Sequence, residues 1–321
     1  MGNHVVTRPD LNPVSFFGMV TVAPEMRDFF ELARRVARAD STVLVRGETG
    51  TGKELVARAL HEFSPRAKKP FAAINCATLT PELLASELFG HVRGAFTGAV
   101  KDRQGLFVQG DGGTVFLDEI AEISMDTQAR LLRVLQERTF VPLGGTQPVK
   151  VDVRVVSATH TGLRQMVEAR TFREDLMYRI RVVPLFLPPL RERTGDVEAL
   201  TWHFIREHNA RGLREVSGLE GRASEAMCAY GWPGNVRELQ NAVEHAFAVG
   251  EGPILALHEL PPELRGEGIV RVAKPLTANE MERERIVAIL EEVRGKKGLA
   301  ADRLGMSRST LWRKMREHGL I

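Results

Sequence analysis

The stretch Gly47-Glu48-Thr49-Gly50-Thr51-Gly52-Lys53 constrains this chain more than any other. It follows an apolar, β-branched run, Ser41-Thr42-Val43-Leu44-Val45, and precedes a helical pattern from Glu54 to Leu60. Strand, glycine-rich loop and helix form the context of a phosphate-binding loop. Three glycines let the backbone curl so that several N–H groups face one anion. The helix start adds a positive dipole end, and Lys53 supplies charge for the outer phosphates. Glu54 stands where Ser or Thr commonly offers magnesium a hydroxyl, which shifts metal binding onto another residue.

The 321 residues are enough for two or three domains. A hydrophobic share of 43% supports ordinary cores, and the net charge of +3 makes the whole mildly basic. Two cysteines, Cys76 and Cys228, are too few for a disulfide framework or a zinc site and read as small apolar residues. No apolar run reaches the length of a membrane span, and the start Met1-Gly2-Asn3-His4 lacks a signal-peptide core. The expected location is the cytoplasm.

Residues 1–14 show no period and read as a tail. From 15 to 190 apolar strands alternate with helical patterns. The strands are the 41–45 run, Phe71–Asn75, Thr114–Leu117, Val153–Ala158 and Val182–Phe186; Pro24–Arg38 and Met125–Glu137 are helices. That alternation predicts an α/β fold, a mostly parallel sheet sandwiched by helices. Leu187-Pro188-Pro189 breaks the rhythm. Residues 191–264 then read as helices only, a small lid-like domain. Residues 265–277 read as a linker and 278–321 as a separate all-helical unit.

Asp118-Glu119 ends the third strand, as the partner of a phosphate loop does. Asp118 is the expected magnesium (Mg2+) ligand, and Glu119 the general base that polarises water. Thr159 and His160 end the fourth strand, where polar groups either sense a γ-phosphate or cap the helix that follows. Arg173 and Arg179 lie six apart and so not on one helical face. Either they reach a neighbour's nucleotide, or they pair on the surface with Glu174 or Asp175. Arg237, in the first turn after Pro233-Gly234-Asn235, is placed to meet phosphate from the lid side or is a plain surface arginine.

Gly94-Ala95-Phe96-Thr97-Gly98-Ala99 sets two glycines around an aromatic tip, which nucleotide binding alone does not need. This segment resembles the signature of the sigma-54-dependent transcriptional activators, the bacterial enhancer-binding proteins of the AAA+ class. Further matches are Glu87-Leu88-Phe89-Gly90-His91, Gly112-Gly113-Thr114 through Asp118-Glu119, and Leu190-Arg191-Glu192-Arg193. The resemblance covers about Phe17 to Ile321 and makes Glu54 an ordinary residue at its position. It implies an ATP-hydrolysing ring with ATP bound by residues 47–54. It also implies Asn75 as a switch that holds Glu119 from water, arginine fingers at Arg173 and Arg179, and a sensor at Arg237. Residues 94–99 would touch the sigma factor, and 143–148 would form a second remodelling loop.

In the last unit, Leu299–Leu304 reads as a helix, Gly305-Met306-Ser307 as a turn, and Arg308–Glu317 as a second helix capped by Ser307. From Lys296 on, seven basic residues face two acidic ones, a net +5. Arg308, Ser309, Thr310, Arg313 and Lys314 would meet DNA, with Leu304, Met306, Leu311 and Met315 as core and Trp312 either. The spacing resembles the Fis-type helix-turn-helix of the same family, in which a dimer seam would fall at Met281, Ile286, Ile289 and Leu290.

Together these features predict an ATP-dependent activator of sigma-54 RNA polymerase that binds upstream double-stranded DNA. It would assemble from dimers to a homohexamer and remodel the closed promoter complex. The competing expectation is a DNA-binding repressor that uses ATP only to oligomerise; a third is an unrelated ring ATPase. With no sensor domain ahead of the phosphate loop, either a negative regulator acts in trans or a regulatory domain has been cut away.

Overall fold

The computed structural model describes residues 4–7, 9, 12–212, 214–267, 289, 297–304 and 306–317. Residues 1–265 form one compact unit and 266–321 a second.

In chain order the first unit begins with β1 (Val5–Val6), the hairpin β2 (Val14–Phe16) and β3 (Met19–Thr21), then α1 (Pro24–Ala37), β4 (Val43–Arg46) and α2 (Lys53–Glu62). Next come β5 (Phe71–Asn75), α3 (Pro81–Phe89), α4 (Leu106–Gln109), β6 (Thr114–Asp118), α5 (Met125–Glu137) and the hairpin β7 (Thr139–Phe140) and β8 (Val149–Lys150). The run closes with β9 (Arg154–Thr159), α6 (Leu163–Glu168), α7 (Glu174–Ile180), β10 (Val183–Phe186), α8 (Asp196–Ala210), β11 (Gly218–Glu220), α9 (Gly221–Ala229), α10 (Asn235–Val249) and β12 (Ile254–Leu255).

Five strands pair in parallel in the order β10-β4-β9-β6-β5. Their apolar runs are continuous because both faces are buried. Val43, Val45, Phe116 and Val156 pack under α1 and α2, whereas Leu44, Val115 and Leu117 pack against α3, α5 and α7. α1 opens on Pro24 and turns Met26, Phe29, Phe30 and Ala33 inward at helical spacing. The register sets Arg46 beside Thr159 and Asn75 beside Asp118 at one end of the sheet. The phosphate loop leaves from that end, where parallel sheets hold their ligands.

Helices α8, α9 and α10 enclose a second core around Trp232, Leu239 and Val243. The expectation of helices alone there needs correction. β1, β11 and β12 form a small sheet, with β1 antiparallel and β12 parallel to β11. β1 comes from the segment read as a tail. These strands run two or three residues, too short to show a period.

The second unit holds α11 (Lys297–Arg303) and α12 (Arg308–Glu317) around Ala300, Ala301, Leu311 and Met315, with Leu304 and Met306 packed on them.

Candidate active site

A cleft of about 650 Å3 opens between the phosphate loop, the end of β6 and the helical half of the first unit. Of the residues singled out by sequence, Thr49, Gly50, Thr51, Gly52, Lys53, Glu54, Asn75, Asp118, Glu119, His160 and Arg237 line it. Gly50 and Gly52 turn with φ of +81° and +103°, which side-chained residues rarely adopt. A Cβ on Gly50 would sit 2.1 Å from the Gly234 carbonyl. The Gly50 carbonyl accepts from the N–H of Val236 (3.1 Å) and of Arg237 (3.3 Å), so α10 begins directly on the loop. Gly47 and Glu48 do not line the cleft. Glu54 is exposed at the cleft's edge and pairs with Arg58 at 2.8 Å.

Lys53 is buried, with its Nζ 3.0 Å from the Gly47 carbonyl, 3.3 Å from that of Glu48 and 3.5 Å from Glu119 Oε1. Glu119 sits in the left-handed region at φ +50°. Its Oε2 lies 2.8 Å from His160 Nδ1. Burial pushes the Asp118 carboxyl up; the Glu119 charge adds to this and Lys53 opposes it. Asn75 does not hold Glu119: its Nδ2 donates to Asp118 Oδ2 at 3.2 Å, and its Oδ1 accepts from the Ala77 N–H at 2.9 Å. The parallel register explains this, since it sets Asn75 beside Asp118 while Glu119 has already turned away. Thr159 is also outside the cleft. Its buried hydroxyl accepts from the Thr161 N–H at 3.0 Å, and it does not cap the helix that follows, α6, which starts after Gly162 with no side-chain cap.

Sequence reasoning missed a polar latch between the phosphate loop and the helical half. Arg191 grips Glu48 with two bonds of 2.8 and 2.7 Å, which lowers the Glu48 carboxyl below its usual range. Buried Asn235 donates to Glu48 Oε2 (3.1 Å) and the Thr49 carbonyl (3.0 Å), and accepts from the Leu190 N–H (2.8 Å). Arg193 donates to the carbonyls of Thr51 (3.1 Å) and Pro188 (2.8 Å), and its burial pushes its guanidinium down to about 10. Leu190-Arg191-Glu192-Arg193 was the signal available; its role depends on burial, which no spacing reveals. The far end of the cleft is lined by Gly18, Met19, Val20, Leu200, His203, Phe204 and Gln240.

Neither Arg173 nor Arg179 lines this cleft. Arg173 pairs with Asp175 at 2.7 Å, and Arg179 is exposed. The 94–99 loop projects from a pinched base, where a Cβ on Gly105 would lie 2.3 Å from the Gly90 N. Gly94 and Gly98 both take positive φ, and the Gly94 N–H donates to the Ala99 carbonyl at 2.9 Å. Phe96, 38% exposed, sets its ring edge on His91 with centroids 5.0 Å apart. The 143–148 loop lies alongside, and a Cβ on Gly144 would meet Ala95 Cβ at 2.7 Å.

In the second unit Ser307 Oγ accepts from the Thr310 N–H at 3.1 Å and caps α12 as expected. Ser309 and Arg308 are exposed in its first turn, and Lys314 is half-buried. Trp312 is 53% exposed beside Arg316, so it is not core. Ile289, expected at a dimer seam, packs on the core of its own unit. Met281, Ile286 and Leu290, and the Arg313 side chain, lie outside the described residues, as does most of the 265–277 linker.

Three family descriptions match in succession: the sigma-54 interaction domain over residues 19–186, the AAA+ ATPase lid domain over 191–274, and the bacterial regulatory protein, Fis family, over 277–318. The chain belongs to the sigma-54-dependent transcriptional regulators. Among relatives in this family, the transcriptional regulatory protein ZraR of Klebsiella oxytoca is 46% identical, over 94% of this chain and 69% of its own length. The DNA-binding transcriptional activator HyfR of Escherichia coli is 44% identical over 99% of this chain, which spans 50% of HyfR. The structure of NtrX from Brucella abortus in complex with ATP is 35% identical with a TM-score of 0.70, covering 94% of this chain and 69% of NtrX. As a sigma-54 regulator the chain carries a P-loop NTPase domain and a DNA-binding helix-turn-helix.

A nucleotide with magnesium fits the cleft of this regulator. The phosphate loop and Lys53 border the cleft, and the carboxylates of Asp118 and Glu119 stand together at its edge, a donor set that suits a hard cation. Among the described residues no three metal-ligating side chains converge. Among those residues no helix is long and apolar enough to cross a membrane.

Proposed function

We propose that this sigma-54 regulator is an ATPase of a homo-oligomeric ring, which hydrolyses ATP to move the 94–99 loop against sigma-54 RNA polymerase at a closed promoter. Residues near 296–321 hold it on upstream double-stranded DNA. The observation that carries this reading is the meeting of Lys53, Asp118 and Glu119 in one cleft roofed by α10. NtrX, similar over most of this chain, has been seen with both ATP and ADP.

The loop N–H groups and Lys53 hold the phosphates, and Asp118 holds Mg2+, which screens the phosphate charge when bound. Glu119 accepts the proton of the attacking water. Arg237 reaches the nucleotide from the lid side. Arg173 and Arg179 face a neighbouring protomer, with Arg173 leaving Asp175 to do so. Phe96 and Thr97 are the contact to the sigma factor, and the 143–148 loop supports them. Arg308, Ser309, Thr310, Arg313 and Lys314 read the DNA site.

Two substitutions test this reading. Glu119→Gln is expected to bind ATP yet neither hydrolyse it nor melt a sigma-54 promoter. Phe96→Ala is expected to keep ATPase activity and lose open-complex formation. Promoter melting that persists in both variants overturns the reading. A parent that hydrolyses nothing, binds its DNA site and lowers transcription supports the repressor instead.

A further inference from the structure

Another pocket, of about 270 Å3, lies beside β4 and shares no lining residue with the nucleotide cleft. Leu44, Leu163 and Met177 form its apolar wall. Its charged lining is Arg46, Arg164 and Arg181, and no carboxylate borders it. The three arginines come from separate places: Arg46 ends β4, Arg164 lies in the first turn of α6, and Arg181 follows α7.

Elsewhere in this unit arginines stand against carboxylates, as Arg66 does with Asp40, Arg103 with Glu87 and Arg191 with Glu48. Among the described residues none of the three pocket arginines forms an ion pair. Arg46 Nε is out of solvent and has no hydrogen-bond acceptor, a costly state for a charged donor. The Arg46 guanidinium lies over the Phe186 ring, 5.7 Å from its centroid. Contact with a ring occupies the face of a guanidinium and leaves its N–H edges to take an anion. Like charges gathered at one pocket repel, and an anion between them turns that repulsion into attraction.

We propose that this pocket binds a small phosphate-bearing anion, either free phosphate or the phosphate end of a small organic ester. Arg46 supplies the planar fork that matches phosphate oxygens, and Arg164 and Arg181 complete the neutralisation. One water takes about 30 Å3, so the space exceeds a bare ion, and the apolar wall can take a short carbon skeleton. Arg46 directly precedes the phosphate loop, and Arg181 follows the helix that carries Arg179. An anion held here would therefore join those two segments. The site does not depend on the reading of the cleft.

The test is equilibrium dialysis of the full chain against labelled inorganic phosphate and, separately, ribose 5-phosphate, at matched ionic strength. Lys53→Ala is the background, because it removes the charge that would hold phosphate in the cleft. Arg164→Gln and Arg181→Gln are added to it singly, with Arg222→Gln, exposed on α9, as the control for net charge. The background is expected to bind phosphate with a Kd of about 1 mM or below. Each pocket variant weakens it about tenfold or more, the scale of a lost charge-assisted hydrogen bond, and Arg222→Gln changes it less than about twofold. Both pocket variants unfold in urea no earlier than their background, since each loses only a like charge. Tighter binding of the ester assigns an organic phosphate as the ligand; otherwise it is the free ion. Phosphate that does not bind Lys53→Ala, or binds all variants equally, overturns the proposal, and so does a pocket variant that unfolds sooner, which marks a structural tie. Binding lost as protein concentration rises also overturns it, because a neighbouring chain then fills the pocket.

Discussion

Single residues here do work that their type alone does not announce. Arg193 is buried to tie two backbone carbonyls, Thr51 and Pro188, across the join of the two halves. Removing it leaves both acceptors unmet, so Arg193→Ala is expected to cost about 2–4 kcal/mol in urea unfolding. Lysine restores little, because it lacks the planar fork. A shift below about 0.5 kcal/mol would show that the carbonyls find other donors. Asp118 makes a prediction about pH. Its folded carboxyl is raised by burial and by Glu119, so its contribution to stability is present below its ordinary value and lost as pH rises through the raised one. Cation binding needs the carboxylate, so affinity for Mg2+ with ATP should fall on acidification from a pH above the ordinary aspartate range. Titration calorimetry across pH checks the direction, and an affinity flat down to pH values of about 4 contradicts it.

Between elements, the join of α10 to the phosphate loop matters most. Asn235 serves four backbone or carboxylate partners at once, from a left-handed backbone at φ +54°. Asn235→Ala strands the Leu190 N–H and frees the loop, at about 1–3 kcal/mol. The expected result is a several-fold rise in KM for ATP with a smaller change in kcat; the reverse pattern would place Asn235 in the chemical step. Glu48 is held low by Arg191, so its share of the latch is present above its ordinary value of 4.5 and lost as pH falls through the lowered one. β1 is a second join. Its pairing occupies the edge of β11, and Gly218 and Gly221 give it room. Deleting residues 1–7 should speed amide exchange at 218–221, while exchange in β4 and β6 stays slow.

For the whole molecule, the arginines matter most. Arg173 and Arg179 lie outside the cleft of their own chain, and in the proposed ring each site would combine Glu119 of one protomer with arginine from the next. ATPase activity per chain should therefore rise with protein concentration. Inactive Arg179→Ala mixed with inactive Glu119→Gln should regain part of the activity; a mixture as inactive as its components excludes shared sites. The +5 charge of residues 296–321 predicts DNA affinity that falls steeply with salt.

The order of strands, the phosphate loop, the acidic pair and the two terminal helices were legible in the sequence because each has a period or spacing of its own: buried parallel strands read as apolar runs, and glycines mark turns that side chains cannot take. Three features were decided only by the tertiary structure: Asn75 partners Asp118, His160 partners Glu119, and Val5–Val6 joins a sheet with residues more than two hundred positions away. Such pairings follow from strand register and chain return. A hydrogen bond needs two groups within about 3 Å in space, whatever their distance along the chain.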